Sequence, residues 1–249
     1  MHFLQLPGLR DRRIAASDET MSSAGGGNRI YRRGSMARRV GADRARRMDR
    51  EYNEIRAIVL HSTAGPSFLP GTRSAYPEDA ATDADIASRT RLDRVAAHFV
   101  VTNDGAIFYT HDLGYWIASA GGRRGIDIEF AGRFANSEDP PAGATERLSP
   151  AAITSGRALV QSLSRSLSTI THIHPHGQVQ RNDREGRCGS GTENTCSKLY
   201  SCPGPDIWVN VGAWAVEHLG LVCDTTLEGY QNNGIHPRQS NAAYARGQP

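Results

Sequence analysis

Lysine is nearly missing from this chain: Lys198 is the single lysine among 29 basic residues. Chemistry that needs a lysine amine therefore has one candidate, and arginine carries almost all of the positive charge. Long apolar runs are missing too. None approaches the ~18–20 apolar residues a membrane-spanning helix needs. The N-terminal patch Met1–Leu6 is broken by Pro7 and Arg10 before it reaches the length of a signal-peptide core, so no cleavable signal is expected. The compact metal-binding patterns HExxH and CxxC do not occur, and no internal repeat is visible. Cysteines number four, all in the last quarter: Cys188, Cys196, Cys202 and Cys223. A disulfide among them would imply an oxidising compartment, while their closeness to histidines points to at least one metal ligand.

Hydrophobic residues at 38% can fill one core. A mean hydropathy of −0.50 requires long polar stretches outside it. Charge is unevenly placed: residues 1–50 hold twelve arginines against five acids, a net of +7, which leaves −4 for the rest. That segment has few aromatics and no apolar periodicity, and it contains Gly25-Gly26-Gly27. We read residues 1–51 as an Arg-rich, disordered leader, with a nucleic-acid or anionic-surface arm as the sharper alternative. The domain is expected over 52–222, with 177–201 as an inserted polar loop, and 223–249 as a flexible tail.

Within the domain, the run Ile55–Leu60 reads as a buried strand that ends in His61-Ser62-Thr63. Residues 64–82, rich in proline, read as a loop, and Asp83–Ala97 as a helix capped by Asp83. His98–Thr102 and Ala106–Thr110 form a hairpin about Asn103-Asp104-Gly105, because Asp-Gly tolerates a tight turn. Gly125–Phe130 alternates, with Ile126, Ile128 and Phe130 on one face and Asp127 and Glu129 on the other. Ser149-Pro150 starts a helix, Ser as N-cap and Pro at the first position, with Leu159, Val160, Leu163 and Leu167 as its apolar stripe. Thr169–His176 reads as a strand and Asp206–Leu219 as a helix. Strands interspersed with helices, including a hairpin, give an α/β class: a central mixed β-sheet flanked by helices.

A zinc site needs three or four ligands from separate elements, and a catalytic one leaves a position for water. His61 ends one strand. His172, His174 and His176 share one face of another by the period of two, and Cys202 precedes a helix. Two histidines and a cysteine are a chemically sensible set, and the spacing leaves open which histidine of the three takes part.

Four blocks in order resemble the zinc-dependent N-acetylmuramoyl-L-alanine amidase family, the type-2 amidase fold shared with peptidoglycan recognition proteins. They are Ile58-Val59-Leu60-His61-Ser62-Thr63, then Ala96-Ala97-His98-Phe99-Val100-Val101 with Asp104-Gly105, then Gly125-Ile126-Asp127-Ile128-Glu129-Phe130, then Cys202-Pro203-Gly204-Pro205-Asp206-Ile207-Trp208. The resemblance implies Zn2+ held by His61, His176 and Cys202, with His174 the runner-up, and Glu129 as the catalytic acid–base. It implies hydrolysis of the amide between N-acetylmuramic acid and L-alanine of the stem peptide by zinc-activated water. Thr63, His98, Trp116 and Ser119 are the expected substrate contacts, with His98 read as a structural or substrate-facing hairpin residue and not a ligand. The sequence departs from the pattern in three places. Tyr200 stands where a lysine commonly assists the oxyanion, so Tyr200 or Lys198 takes that role. Asp127 stands where glycine is usual. Ser119 stands where a histidine is usual.

The competing readings are a recognition module that binds peptidoglycan or muropeptide without cutting it, and a nucleic-acid-binding protein working through the leader. The expected partner is peptidoglycan or muropeptide, with no membrane insertion, no nucleic acid and a monomeric state. The expected site of action is the cell wall, in the periplasm or outside the cell, as an endolysin or a delivered effector, with cytoplasmic muropeptide recycling as the alternative. Cys188 and Cys196 are read as either a small disulfide loop or free thiols.

Overall fold

Ala57, Ile58, Val59 and Leu60 are all fully buried, and the sheet is built around them. A strand paired on both edges and covered on both faces reads as an unbroken apolar run, which is the signal of residues 57–60. The computed structural model describes residues 5–11, 21–22, 29–30, 50–63, 68, 95, 97–114, 121–134, 146–176 and 202–223. Its strands are β1 (Leu9–Asp11), β2 (Met21–Ser22), β3 (Arg29–Ile30), β4 (Ala57–Ser62), β5 (Phe99–Val101), β6 (Ile107–Tyr109), β7 (Gly125–Phe130) and β8 (His172–Pro175). Helix α1 is Pro150–Ser166. A last helical stretch comprises α2 (Pro205–Ile207), a π-helical segment Trp208–Ala213 and α3 (Trp214–Leu219).

Six strands form one mixed sheet in the order β1-β6-β5-β7-β4-β8, and β2 pairs with β3 separately. β4 runs parallel to β7 on one side and to β8 on the other. β5 is parallel to β7 and antiparallel to β6. The β5–β6 turn is closed at Gly105, whose φ of +86° favours glycine.

Alternation sorts the side chains onto two faces. Ile58, Leu60, Phe99, Val101, Ile126, Ile128, Phe130 and Ile173 join one apolar cluster with Ala152, Leu159, Val160 and Leu163 of α1 and with Ile207, Trp208 and Val211. Val100, Phe108, Phe68 and Ala131 form a smaller cluster on the opposite face. His61, Asp127, Glu129, His172 and His174 have the parity of that second face. Ser149 caps α1, its hydroxyl accepting from the Ala152 amide at 3.0 Å. The hairpin turn is tied to the same point, because Asn103 Oδ1 accepts from the Ser149 amide at 2.8 Å.

Several expectations shift. The first strand lies two residues later than Ile55–Leu60, since its pairing with β7 continues to Ser62 opposite Phe130. The strand expected over Thr169–His176 shortens to His172–Pro175, because a turn precedes it, the Ile170 amide donating to Leu167 O at 3.0 Å. The helix expected over Asp206–Leu219 contains the π segment in its middle. Part of the presumed leader belongs to the sheet: β1 pairs in parallel with β6, Leu9 opposite Ile107, and Arg10 lies over the Phe108 ring, 5.4 Å from its centroid. Of the helix expected over Asp83–Ala97, only Val95 and Ala97 are described, and they form a bend ahead of β5. The loop 64–82 apart from Phe68, the insert 177–201 with Cys188 and Cys196, and the tail from 224 onward lie outside the described residues. Among the described residues, no helix is long and apolar enough to cross a membrane.

α1 packs closely on β7 at one point. A Cβ on Gly156 would lie 2.7 Å from Cζ of Phe130 and 2.9 Å from Cε1. Gly156→Ala is therefore expected to destabilise the fold by about 1–3 kcal/mol through overpacking, despite alanine's better helix propensity. A lowered denaturant midpoint in chemical unfolding is the readout, and an unchanged or raised midpoint would sink the packing argument.

Candidate metal centre

The second face of the sheet becomes polar at the C-terminal ends of β4, β7 and β8. In open α/β sheets this edge is where ligands usually bind. Parallel register decides who meets whom there. His61 of β4 stands opposite Glu129 of β7. Leu60 stands opposite Pro175 of β8, so the next residue, His176, comes beside His61. The two rings lie 4.6 Å apart between centroids, tilted at 48°. Cys202 enters from the segment ahead of α2: its Sγ accepts from the Ser62 amide at 3.4 Å and lies 3.2 Å from His176 Nδ1.

Donor atoms of His61, His176 and Cys202 all fall within 4.8 Å of one another. Zinc bonds of about 2.0–2.1 Å to nitrogen and 2.3 Å to sulfur set tetrahedral donors roughly 3.3–3.7 Å apart, so the set needs only small side-chain adjustment to hold the ion. The Ser62 amide also helps to fix the position of the Cys202 sulfur. The residues present fit zinc. His174, the runner-up, is fully buried two register pairs further down β8, stacked against His172 with centroids 5.7 Å apart, and is not part of the donor group.

The surroundings of His61 are charged and buried, while His176 and Cys202 are partly exposed. His61 is 4% exposed, and its Nε2 lies 2.9 Å from Asp127 Oδ1. Burial opposes protonation of His61. Hydrogen bonds to Asp127 and Cys202, with the charges of Glu129 and Asp127, outweigh it and hold its pKa well above 6.5. Glu129 is partly buried, and its Oε2 is buried without a hydrogen-bond partner among the described residues. Desolvation pushes its pKa up to about 7, with His61 pulling it down and Asp127 pushing it further up. A carboxyl poised there can both accept and return a proton near neutral pH.

The other expected residues have mixed placements. Thr63 sits beyond β4, its amide donating to Phe130 O and its hydroxyl accepting from the Gly132 amide, both at 3.0 Å. His98 is fully buried, which corrects the expectation that it faces substrate. Its Nδ1 accepts from the Asp127 amide at 3.0 Å, and its Nε2 lies 3.0 Å from Nη2 of Arg50. Trp116, Ser119, Lys198 and Tyr200 lie outside the described residues. Arg50 escaped the sequence reading altogether. It is 5% exposed and donates to the carbonyls of Leu113, Arg123 and Gly125 at 2.7–2.9 Å. In sequence it is one more arginine in a basic segment, with no signal to distinguish it.

Among solved structures, an endolysin N-acetylmuramoyl-L-alanine amidase, LysCS of Clostridium intestinale URNW, is 20% identical, covering 69% of this chain and 88% of its own at a TM-score of 0.41. Bumblebee PGRP-SA is 15% identical, covering 68% of this chain and 84% of its own at a TM-score of 0.39. No curated protein sequence matches. Residues 51–199 match the family described as N-acetylmuramoyl-L-alanine amidase. That span takes in His61, Glu129 and His176, and stops short of Cys202. Because it covers more than half of the sequence, the chain belongs to the N-acetylmuramoyl-L-alanine amidase family.

Proposed function

We propose that this protein is a zinc-dependent peptidoglycan amidase, cutting the amide bond between N-acetylmuramic acid and the L-alanine of the stem peptide. The observation that carries this reading is the convergence of the His61, His176 and Cys202 donors beside the carboxylate of Glu129, directly across the sheet from His61. A zinc ion held there supplies Lewis-acid polarisation of the scissile carbonyl and activates water. Glu129 takes up a proton and delivers it to the leaving amine, a role that suits a carboxyl whose burial lifts its pKa to about 7. The Ser62 amide holds the Cys202 sulfur in place through its N–H. Tyr200 or Lys198 is assigned to the oxyanion, and Thr63, Trp116 and Ser119 to the substrate. The enzyme acts on the cell wall, in the periplasm or outside the cell.

Two variants separate binding from chemistry. Cys202→Ala is expected to lose both stoichiometric zinc and wall hydrolysis. Glu129→Ala is expected to keep zinc and lose activity by about 100- to 10,000-fold. Products with new L-alanine N-termini identify the bond, whereas new reducing sugar ends would mean a glycosidase. A folded wild type without stoichiometric zinc would overturn the reading, and a fully active Glu129→Ala would overturn the role of Glu129.

The same carboxyl predicts a pH dependence of stability. Its folded pKa of about 7 lies above the ordinary 4.5, so it favours the folded state below pH ~4.5 and that contribution is lost as pH rises through about 7. Glu129→Gln removes the penalty. In zinc-free protein the variant is expected to melt higher than wild type at pH 8 and alike at pH 4. Equal melting temperatures at pH 8 would contradict the burial argument.

A further inference from the structure

We infer that Asp127 is a positioning residue for the metal centre, which turns His61 so that Nδ1 and not Nε2 faces His176 and Cys202. The inference rests on reading that group as a zinc site, and it adds a fourth residue to it.

The geometry starts from the sheet. Asp127 stands opposite Val59 and has the same parity as His61 and Glu129, so its carboxylate lies on the metal face two register pairs below His61. Its Oδ1 is 2.9 Å from His61 Nε2, with side-chain exposures of 0% and 5%. A neutral imidazole carries one N–H. A carboxylate acceptor at Nε2 places the proton there and leaves the Nδ1 lone pair as the ligand atom. Flipping the ring about its Cβ–Cγ bond would exchange Nε2 for Cε1 and give up the 2.9 Å contact with Asp127 Oδ1.

Asp127 is itself held. The Gly121 amide donates to the same Oδ1 at 2.9 Å. A Cβ on Gly121 would lie 2.8–2.9 Å from both carboxylate oxygens, so the backbone there closes directly over the group. Behind it, the Asp127 amide donates to His98 Nδ1, and Arg50 lies 3.0 Å from the far nitrogen of that ring. The guanidinium is anchored by three backbone carbonyls. A buried carboxylate without positive charge nearby is costly. Arg50, one imidazole away, is the nearest fixed positive charge among the described residues in this chain of contacts. The residues Arg50, His98, Asp127 and His61 thus form one continuous buried line from the segment ahead of the domain to the metal ligand.

The test uses the full chain with zinc as the probe. Long-range 1H–15N NMR on the zinc-loaded wild type is expected to show His61 protonated at Nε2 and coordinating through Nδ1. Asp127→Ala is expected to weaken zinc binding about 10- to 100-fold in chelator competition, while the zinc-free variant still melts cooperatively. Asp127→Asn retains an acceptor for the His61 N–H and the Gly121 amide, and is expected to recover affinity to within a few-fold of wild type. Coordination through Nε2 in the wild type would overturn the inference whether or not the alanine variant folds. Wild-type zinc affinity in Asp127→Ala would overturn it as well. Both outcomes leave the zinc reading intact, whereas a wild type that binds no zinc removes that reading and this inference together.

Discussion

The double parallel pairing of β4 is the constraint from which the rest follows. Ala57–Leu60 are paired on both edges, with β7 and with β8. Register in such a strand is set by which residues face the apolar side, and a slip of one residue would turn every side chain over. Ile58 and Leu60 are committed to the cluster under α1. That commitment sends Val59 and His61 to the opposite face. The apolar pattern therefore aims His61, the first donor of the candidate metal centre, although it contains no metal chemistry itself.

Much of this was legible. Strict alternation in Gly125–Phe130 announced two carboxylates on one face, and Ser149-Pro150 marked the start of α1. The turn Asn103-Asp104-Gly105 gave the hairpin. What period two left open was the choice among His172, His174 and His176, which share a face by any reading. Register closes it: Leu60 pairs with Pro175, so His176 is the histidine level with His61. That pairing is a fact of two strands more than a hundred residues apart in sequence, and no local pattern encodes it. The same holds for Arg50, whose three acceptors come from Leu113, Arg123 and Gly125. Its role is tertiary, and its sequence context, a run of arginines, points the other way. The edge strand β1 was obscured for a similar reason: three residues flanked by charge carry no periodicity, and their pairing depends on β6 being there to receive them.

The two faces divide the work. Under α1 the contacts are apolar and close enough that Gly156 admits no side chain. The other face holds His98, Asp127 and His174, all with no exposure, at the price of desolvating each of them. That cost has to be met by partners, and the partners recur: a main-chain amide for Asp127, another for the Cys202 sulfur, and Arg50 behind His98. Backbone donors at fixed sheet positions serve well here, because they are ordered by the fold before any ligand arrives and lose nothing further when it does.

The charge balance at the donors explains why such a face is tolerable. Without a cation, the negative groups near His61 hold a proton on it, and burial holds one on Glu129 up to about pH 7. The His61 proton answers the negative charge of Asp127 and Glu129, and the Glu129 proton answers chiefly its own desolvation. On the proposed reading, a divalent cation between His61, His176 and Cys202 would take over that role, because it would meet all three donors at once. Metal affinity at this site should then depend on pH through groups that are not themselves ligands. The carboxylate that orients His61 also raises the proton affinity of that ring. Asp127 therefore has opposed effects: it presents the correct nitrogen, and it makes the proton on that ring compete harder with the metal. On this proposal the metal would be favoured because a hydrogen bond at Nε2 can survive coordination at Nδ1, whereas a second proton on the ring cannot.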